Sequence, residues 1–285
     1  IEVIKGEFYR NRGAYIVGRI VLDNHSKVPL VIALLNDEKG IYVDAILTSE
    51  SATFNIFSTT RANFHVNNEY YHELSEFLHS IIPKRTLGLS YSTIGFNHFG
   101  KVAVMEELKE ELLSNDGKFD FAIGFKGTVA IGFQSRQSGY NLKVIRNSPT
   151  EQYKWGMFEG VPSVLEKYSR VHVINRTGSM LDNIIFYRVK LERIWFTNAL
   201  LEELLNEASE CVTLQGNFLF FRHLIVQRRL TPLPVYLETS SQAESEAAVI
   251  NLGHCIKNNM AANIFNKDLD ARNYGVGVFG GVYLF

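Results

Sequence analysis

Hydrophobic and polar positions in the first part of the chain follow the pattern of short β-strands. Runs rich in β-branched and aromatic residues occupy positions 14–21, 28–35 and 41–47. Stretches containing Asp, Asn and Gly separate these runs, as is typical of turns between the strands of a sheet. The pattern therefore predicts that a small sheet opens the chain.

Helical spacing replaces the strand pattern in the next part. Apolar residues recur every three or four positions across 70–82, and the pattern ends before Pro83, as helices commonly do. A second stretch, 102–113, has similar spacing and ends in the polar turn 114–117. We expect two amphipathic helices, with a domain boundary in the turn after the second one.

Strand patterns return beyond that turn. Runs of β-branched and aromatic residues predict five further strands, at 119–124, 128–134, 140–145, 184–192 and 218–227. Glycine-containing turns join the first three of these runs. We therefore expect a second, antiparallel sheet.

Two further helices are predicted in this half of the chain. Thr197 is a residue type that can cap a helix over 198–210, and a longer helix is expected over 243–260. Pro232 and Pro234 are expected to break the structure between strand and helix.

The order of the elements, with sheets followed by helices, indicates an α+β fold. The polar turn divides it into a first domain, residues 1–116, and a second domain, residues 117–285. With 285 residues, 46% of them hydrophobic, the chain can form well-packed cores.

Charge and cysteine content exclude several classes of function. The net charge of −1 leaves no surplus of Lys and Arg for non-specific binding to nucleic acid. The apolar runs are too short to span a bilayer, so no membrane association is expected. Cys211 and Cys255 lack the spacing of a zinc site or a disulfide framework, which favours a reducing, cytoplasmic location.

A glycine pair between two predicted strands is the first candidate for chemistry. Its segment consists of Ala122, Ile123, Gly124, Phe125, Lys126, Gly127 and Thr128. Glycines allow a tight turn and let backbone N–H groups approach phosphate oxygens, as a loop covering a nucleotide requires. Taken alone, the segment is more typical of an ordinary β-hairpin turn, because glycine-containing turns between strands are common.

Lys143 lies inside the β-branched strand that follows this turn. A strand lysine beneath a phosphate-covering loop can reach the phosphates as a compact positive charge. Such a lysine often pairs with an acid on a helix, and Glu166 is a candidate for that role. Many strand lysines simply face solvent, so both interpretations stay open from spacing alone.

Two acidic positions complete the candidates. Asp182 directly precedes a predicted strand, where it could bind metal, act as a base for water, or form an Asx turn. Asp268 lies five positions before Asn273, the spacing at which protein kinases place the catalytic Asp and a metal-binding Asn. That spacing also occurs by chance in Asx-rich loops.

These elements occur in an order that resembles the bacterial isocitrate dehydrogenase kinase/phosphatase family. The resemblance covers nearly the whole chain. The matching runs are Phe8-Tyr9-Arg10-Asn11 with Val17-Gly18, Arg222-His223-Leu224 with Arg228-Arg229 and Pro232-Leu233, and Ala261-Ala262-Asn263-Ile264-Phe265 with Asp268 and Asn273-Tyr274-Gly275.

The resemblance implies an enzyme that uses ATP and Mg²⁺ to phosphorylate isocitrate dehydrogenase on serine and also removes that phosphate. This activity controls the branch between the citric-acid cycle and the glyoxylate bypass. By position, residues 122–128 correspond to the ATP loop and Lys143 to the ATP-contacting lysine. Asp182 corresponds to the acid of the phosphatase reaction, and Asp268 and Asn273 to the catalytic-loop pair.

The resemblance also implies a domain arrangement. Residues 1–116 are similar to the latter part of a regulatory domain, and residues 117–285 to a kinase-like lobe with an antiparallel sheet, a hinge and the start of a helical lobe. The family's metal-binding Asp would fall just past Phe285, so we expect this chain alone to be inactive. A homodimer is one candidate assembly, which the sequence does not decide.

Several positions depart from the family pattern. Ile123 and Lys126 replace Pro and Arg in the loop, and Asn266-Lys267 replaces Pro-Gly before the catalytic Asp. These departures favour, as an alternative function, a regulator that binds nucleotide and a protein partner without catalysis. A structural domain without a nucleotide site is the third possibility, and the long ordered resemblance disfavours it.

Overall fold

A computed structural model describes residues 1–10, 13–57, 64–114, 117–154, 156–175, 177–266 and 268–285. The chain divides into two units, Ile1–Glu107 and Leu108–Phe285. Residues 115 and 116 of the predicted boundary turn lie outside the described residues.

The described part of unit one begins with strands β1 to β5 and continues mainly with helices, with the short strand β6 between the first two of them. Its described strands are β1 (Glu2–Val3), β2 (Phe8–Arg10), β3 (Gly13–Val21), β4 (Lys27–Asp37), β5 (Gly40–Leu47) and β6 (His65–Val66). Its described helices are α1 (Glu50–Ile56), α2 (Tyr71–Ile81), α3 (Leu87–Thr93) and the first part of α4 (Asn97–Ser114).

The sheet of unit one has the strand order β5-β4-β3-β2-β6, with β1 paired to β3, and its described pairs are antiparallel. The three strands predicted first correspond to β3, β4 and β5 and are confirmed. Aromatic rings fill the core beside this sheet, where Phe57 lies 5.9 Å from Phe8 and 4.9 Å from Phe64 between ring centroids. Aromatic pairs at such distances contribute to packing beyond their buried area.

Both predicted helices of unit one are present, but the second begins earlier than expected. Helix α4 begins at Asn97 rather than at residue 102. Gly100 permits this earlier turn, since a Cβ there would lie 2.3 Å from Ser92 Oγ on α3. Helices α1 and α3 were not predicted, because each has only seven residues. Capping by the side chains of Ser49 and Thr86 stabilises their first turns.

Unit two contains the remaining elements. Its described strands are β7 (Phe119–Phe121), β8 (Ala130–Ser135), β9 (Tyr140–Ile145), β10 (Ile184–Glu192), β11 (Val212–Gln215), β12 (Phe218–Arg228), β13 (Thr231–Pro232), β14 (Tyr274–Val276) and β15 (Val282–Leu284). Its described helices beyond α4 are α5 (Val161–Ile174), α6 (Asn198–Glu207), α7 (Leu233–Thr239) and α8 (Gln242–Ala261).

The main sheet of unit two has the order β10-β12-β9-β8-β7, with β11 paired to β12. Its described pairs are antiparallel, as predicted. The first two predicted strands are shorter than expected, because β7 ends at Phe121 and β8 begins at Ala130. The glycine segment therefore forms a longer connection than a tight hairpin turn.

Three expectations about the helices of unit two need correction. Helix α6 ends at Glu207 rather than at residue 210, and the Thr197 side chain does not cap it. Thr197 Oγ1 instead donates to Asp120 Oδ1 at 3.0 Å. Pro234 does not prevent helix formation, since it lies in the first turn of α7, where a helix does not need its N–H.

A small third sheet, β13-β14-β15, packs with α7 and α8 around Leu233, Cys255 and Tyr274. Leu181 N donates to Leu284 O at 2.7 Å, which connects the segment before β10 to β15. These contacts bring the region of Asp182 close to the end of the described chain. The α+β expectation is thus confirmed as a mixed fold with antiparallel sheets. None of the described helices combines the length and the apolar character needed to span a membrane.

Candidate functional site

A cleft of about 900 Å³ in unit two brings most of the predicted site residues together. Its lining includes the whole segment 122–128, Lys143 from β9, and Asp268 and Asn273 from the loop after α8. We call segment 122–128 the glycine loop and segment 268–273 the acidic loop. The region of residues 122–143 and the loop after α8, which are far apart in the sequence, therefore contribute to one cavity.

The glycine loop has the backbone that its two glycines allow. Gly124 has a φ of 110°, a conformation that residues with a Cβ rarely adopt. A Cβ on Gly127 would lie 2.3 Å from Ala130 O, so only glycine fits this turn. The Thr150 N–H donates to Thr128 O at 2.9 Å and connects the loop to the segment after β9. The glycine loop thus has a defined backbone conformation at the wall of the cleft.

Lys143 lies in the centre of the sheet, opposite Gly132 of β8 and Ile225 of β12. Its side chain is half-buried, and desolvation lowers the pKa of its ammonium group to about 8. The Nζ atom lies 5.0 Å from the ring centroid of Phe285 and 5.8 Å from that of Tyr168. Such aromatic faces attract a cation without neutralising it.

The proposed pairing of Lys143 with Glu166 is not observed. Glu166 lies on α5, where its carboxylate is 3.7 Å from Arg170 on an exposed face. The α5 residue that contacts Lys143 is Tyr168, two positions away. Within the part of the chain that the structure describes, Lys143 has no ion pair. Its positive charge is therefore available to a ligand in the cleft.

The acidic loop positions Asp268 through two hydrogen bonds to its backbone. Asn273 Nδ2 donates to Asp268 O at 3.2 Å, and the Asp268 N–H donates to Asn266 Oδ1 at 3.2 Å. Asp268 itself is half-buried and lines the cleft. The five-residue spacing thus has a structural basis, because it lets the Asn side chain reach the Asp backbone. Lys267, part of the departure from the family pattern, lies outside the described residues.

Asp270 and Arg272 form a second feature of the acidic loop, which the sequence did not reveal. Hydrogen bonds from Arg272 hold the pKa of the Asp270 carboxyl down at about 2. The Arg272 guanidinium also lies 5.5 Å from the ring centroid of Phe125, in the glycine loop. The two loops therefore face each other across the cleft through an arginine–aromatic contact.

Asp182 is placed differently from the other candidates. Its side chain is 1% exposed and accepts a hydrogen bond from Asn175 Nδ2 at 3.3 Å. Asn175 Nδ2 also donates to Met180 O at 2.8 Å, so it stabilises the turn before β10. Leu181 is one of the described residues that line the cleft, whereas Asp182 is not. The carboxylate thus lies behind the wall of the cavity in this structure.

Charge within the cleft differs from that of the chain as a whole. Cationic residues outnumber acidic ones among the described lining residues. The cations are Lys126, Lys143, Arg146, Lys154, Arg228 and Arg272, and the acids are Glu203, Asp268 and Asp270. A net positive cavity in a chain of net charge −1 is suited to a small polyanion. The donor set therefore fits the phosphates of a nucleotide.

Metal binding by protein groups alone is not supported by the described residues, which contain no cluster of three His, Cys, Asp or Glu side chains suited to a metal ion. Mg²⁺ commonly takes only one or two protein ligands and shares the phosphate oxygens of a nucleotide. The oxygens of Asp268 and Asn273 at the cleft fit that limited role.

Two protein-family models match this sequence, one in each half. The model described as the isocitrate dehydrogenase kinase/phosphatase (AceK) kinase domain matches residues 117–285, and the regulatory-domain model of the same family matches residues 1–115. The chain belongs to the isocitrate dehydrogenase kinase/phosphatase family. The resemblance drawn from the sequence motifs is thereby confirmed.

Curated members of the isocitrate dehydrogenase kinase/phosphatase family match over the whole chain or nearly so. The protein from Rhodopseudomonas palustris strain HaA2 is 54% identical over 290 residues, covering 100% of this chain and 48% of the relative. The protein from Idiomarina loihiensis is 34% identical over 278 residues, which cover 97% of this chain and 48% of that relative. The protein from Colwellia psychrerythraea is 32% identical over 295 residues, which cover 100% of this chain and 49% of that relative. The chain spans about half the length of these relatives.

Sequence reasoning also missed Arg146 and Glu203 in the wall of the cleft. Arg146 directly follows β9, and Glu203 lies on helix α6. Their side chains meet at 2.5 Å between Arg146 Nη2 and Glu203 Oε1. No local spacing relates positions 146 and 203, so only the folded structure shows this pair.

Proposed function

We propose that unit two binds ATP in the cleft and that the full-length protein transfers its terminal phosphate to a serine of isocitrate dehydrogenase. In the reverse activity, the same protein removes that phosphate. The observation that carries this proposal is the convergence of the glycine loop, Lys143 and Asp268 on one cationic cavity. Membership of the isocitrate dehydrogenase kinase/phosphatase family supports the choice of substrate.

The chemistry follows from the roles that phosphoryl transfer requires. Positioning and charge stabilisation account for most of its catalysis, because the transferred group carries its charge on peripheral oxygens. The glycine-loop backbone and Lys143 would bind the phosphates, and Asp268 would orient the serine hydroxyl and accept its proton. The unit then corresponds to a kinase-like lobe, with β12 leading through residues 229–230 into the helical part.

Asn273 is suited to two tasks at once. Its Nδ2 atom donates to Asp268 O at 3.2 Å, which leaves its Oδ1 atom for another ligand. That oxygen and the phosphates would hold Mg²⁺, which neutralises phosphate charge when bound. The side chain would thus connect the position of Asp268 to the metal site.

Nucleotide binding is the first step to test. ATP with Mg²⁺ at about 100 times its Kd is expected to stabilise the protein by about 2.7 kcal/mol. That gain corresponds to a rise in Tm of roughly 5–10 °C for a domain of this size. Adenosine is the matched control, since it lacks the phosphates that the cationic lining would bind, and we expect it to give little shift. Equal shifts from ATP and adenosine, or no shift from either, would contradict a phosphate-binding cleft.

Asp182 is proposed to serve the phosphatase direction, where it would position water. Its burial behind Leu181 means that this role requires the segment before β10 to move when substrate binds. In the full-length protein, Asp182→Ala is expected to suppress dephosphorylation of isocitrate dehydrogenase by about tenfold more than phosphorylation. The two rates are measured with labelled substrate. Equal losses in the phosphorylation and dephosphorylation rates would contradict a separate role of Asp182 in dephosphorylation.

The state of the two cysteines bears on the cellular location that we propose. Both cysteines, Cys211 and Cys255, are free and buried, and burial raises each thiol pKa to about 11. Such thiols are unreactive, which is compatible with the cytoplasmic location that we propose. The proposed partner is isocitrate dehydrogenase, and the proposed consequence is control of the branch between the citric-acid cycle and the glyoxylate bypass.

A further inference from the structure

Glu203 accepts hydrogen bonds from two cations at the wall of the cleft. Lys126 Nζ lies 2.8 Å from Oε2, and Arg146 Nη2 lies 2.5 Å from Oε1. The side chain of Glu203 is only 14% exposed, and these two hydrogen bonds lower its pKa against the opposing effect of burial. The carboxylate therefore stays ionised beside the phosphate-binding region.

Arg146 connects this carboxylate to the glycine loop. Its Nε atom donates to Gly127 O at 3.2 Å, while its Nη2 atom donates to Glu203 Oε1. Its own backbone N–H donates to Val129 O at 2.9 Å. One guanidinium thus holds the end of the loop on one side and helix α6 on the other. The planar fork of an arginine can make both contacts, whereas the single ammonium of a lysine cannot.

The two cations of this cluster differ in burial, and this difference separates their roles. The Arg146 side chain is 1% exposed, whereas that of Lys126 is 62% exposed. An exposed ion pair contributes little because water and salt screen it. A buried pair is different, since removal of one partner leaves an uncompensated charge. Arg146 Nη1 also lies 3.7 Å from Glu207 Oε2, but the Glu207 side chain is 54% exposed. Arg146 and Glu203 are therefore the buried pair that fixes the loop, and Lys126 is free to exchange Glu203 for another anion.

We propose that Arg146 and Glu203 are positioning residues that hold the glycine loop in its nucleotide-binding conformation from helix α6. Nucleotide phosphates would then compete with Glu203 for Lys126, while Arg146 keeps Glu203 neutralised. This inference rests on the proposed nucleotide site for its functional consequence. Its structural part, the position of the loop, does not depend on nucleotide.

The decisive variant removes both charges together. Arg146→Met with Glu203→Leu replaces a buried ion pair by apolar side chains, a change that often leaves stability unaltered or increases it. We expect a Tm within about 3 °C of the unsubstituted protein. Because the contact to Gly127 O is lost, the Thr150 amide, which donates to Thr128 O, should exchange with solvent about tenfold faster. Calorimetric titration with ATP and Mg²⁺ should show a Kd weaker by about tenfold or more.

A second variant keeps the experiment decisive if the double variant does not fold. Arg146→Lys retains a positive charge for Glu203 but cannot also reach Gly127 O, so it should show the same faster hydrogen exchange of the Thr150 amide and the same weaker ATP binding.

Arg170→Met with Glu166→Leu is the matched control, because it removes an exposed pair of the same type elsewhere in unit two. We expect the control to leave both measurements within about twofold of the unsubstituted protein.

The outcomes separate this inference from the proposed function. Unchanged Thr150 exchange in the folded double variant, or in Arg146→Lys, would overturn the positioning role. Weaker ATP binding that appears only together with a large fall in Tm would also overturn it, since it would show a purely structural pair. If the unsubstituted protein binds no ATP, the proposed function fails, and the exchange measurement still decides whether Arg146 and Glu203 hold the loop.

Discussion

Asp268→Asn is expected to lower phosphate transfer in the full-length protein by a factor of about 10²–10⁴, the contribution typical of a general base. The substitution keeps the size of the side chain but removes the carboxylate that would accept the serine proton. Both hydrogen bonds that position residue 268 use its backbone, so the loop should keep its conformation. The Kd for ATP should therefore change little, and the loss should appear in kcat.

Asp270→Asn is the matched control for this result. It is a carboxylate in the same loop that also lines the cleft, but it pairs with Arg272. Because this pair lies at a partly exposed site, we expect its loss to cost less than about tenfold in transfer rate. Equal losses in the two variants would show that the acidic loop acts through its overall charge. They would remove the specific role of Asp268.

Lys143→Met is expected to weaken ATP binding by about 10- to 100-fold, the range that corresponds to a hydrogen bond between charged groups. Methionine fills a similar volume beside Tyr168 and Phe285, so the sheet should remain intact. Lys190→Met is the matched control, since Lys190 is a lysine of β10 in the same sheet and stacks on Phe218 outside the cleft. Calorimetric titration of both variants would check this prediction, and equal Kd values for them would contradict it.

The lowered pKa of Lys143 adds a pH dependence to this prediction. Below about pH 8 the ammonium is charged and can attract phosphate, and above that pH the free protein loses the charge. ATP affinity should therefore fall as pH rises, by about five- to tenfold between roughly pH 7.5 and 9. Burial raises the pKa of the neighbouring Tyr168 to about 12, so Tyr168 stays neutral across this range. The dependence should disappear in Lys143→Met. If it persists there, another group is responsible.

Hydrophobic patterning predicted most of the long elements of this fold, although it missed the 14-residue helix α5. Strands such as β3, β4, β10 and β12 contain enough β-branched and aromatic residues to identify them without tertiary information. Short elements such as α1 and α3 were missed, because seven residues contain too few repeats to establish a period. Helix α7 was missed for another reason, since its proline was interpreted as a break rather than as a first-turn residue.

Most of the candidate residues lie together in the fold. The glycine loop, Lys143, Asp268 and Asn273 were chosen from spacing, strand context and the family resemblance, and they line one cleft, whereas Asp182, chosen in the same way, lies behind its wall. Partners chosen by analogy were less predictable, as Glu166 shows by pairing with Arg170 instead of Lys143. Such pairings depend on how a helix is rotated against the sheet, which one sequence does not specify. The Arg146–Glu203 contact depends in the same way on long-range packing.

The most direct test of the central claim is phosphate transfer by the full-length protein from ATP labelled on its terminal phosphate. Purified isocitrate dehydrogenase is the acceptor, and the label is followed on serine. The proposed function predicts that labelled phosphoserine appears with ATP and Mg²⁺ and is later released as inorganic phosphate by the same protein. Binding of ATP without transfer of label to isocitrate dehydrogenase would contradict it and would indicate a nucleotide-sensing regulator instead.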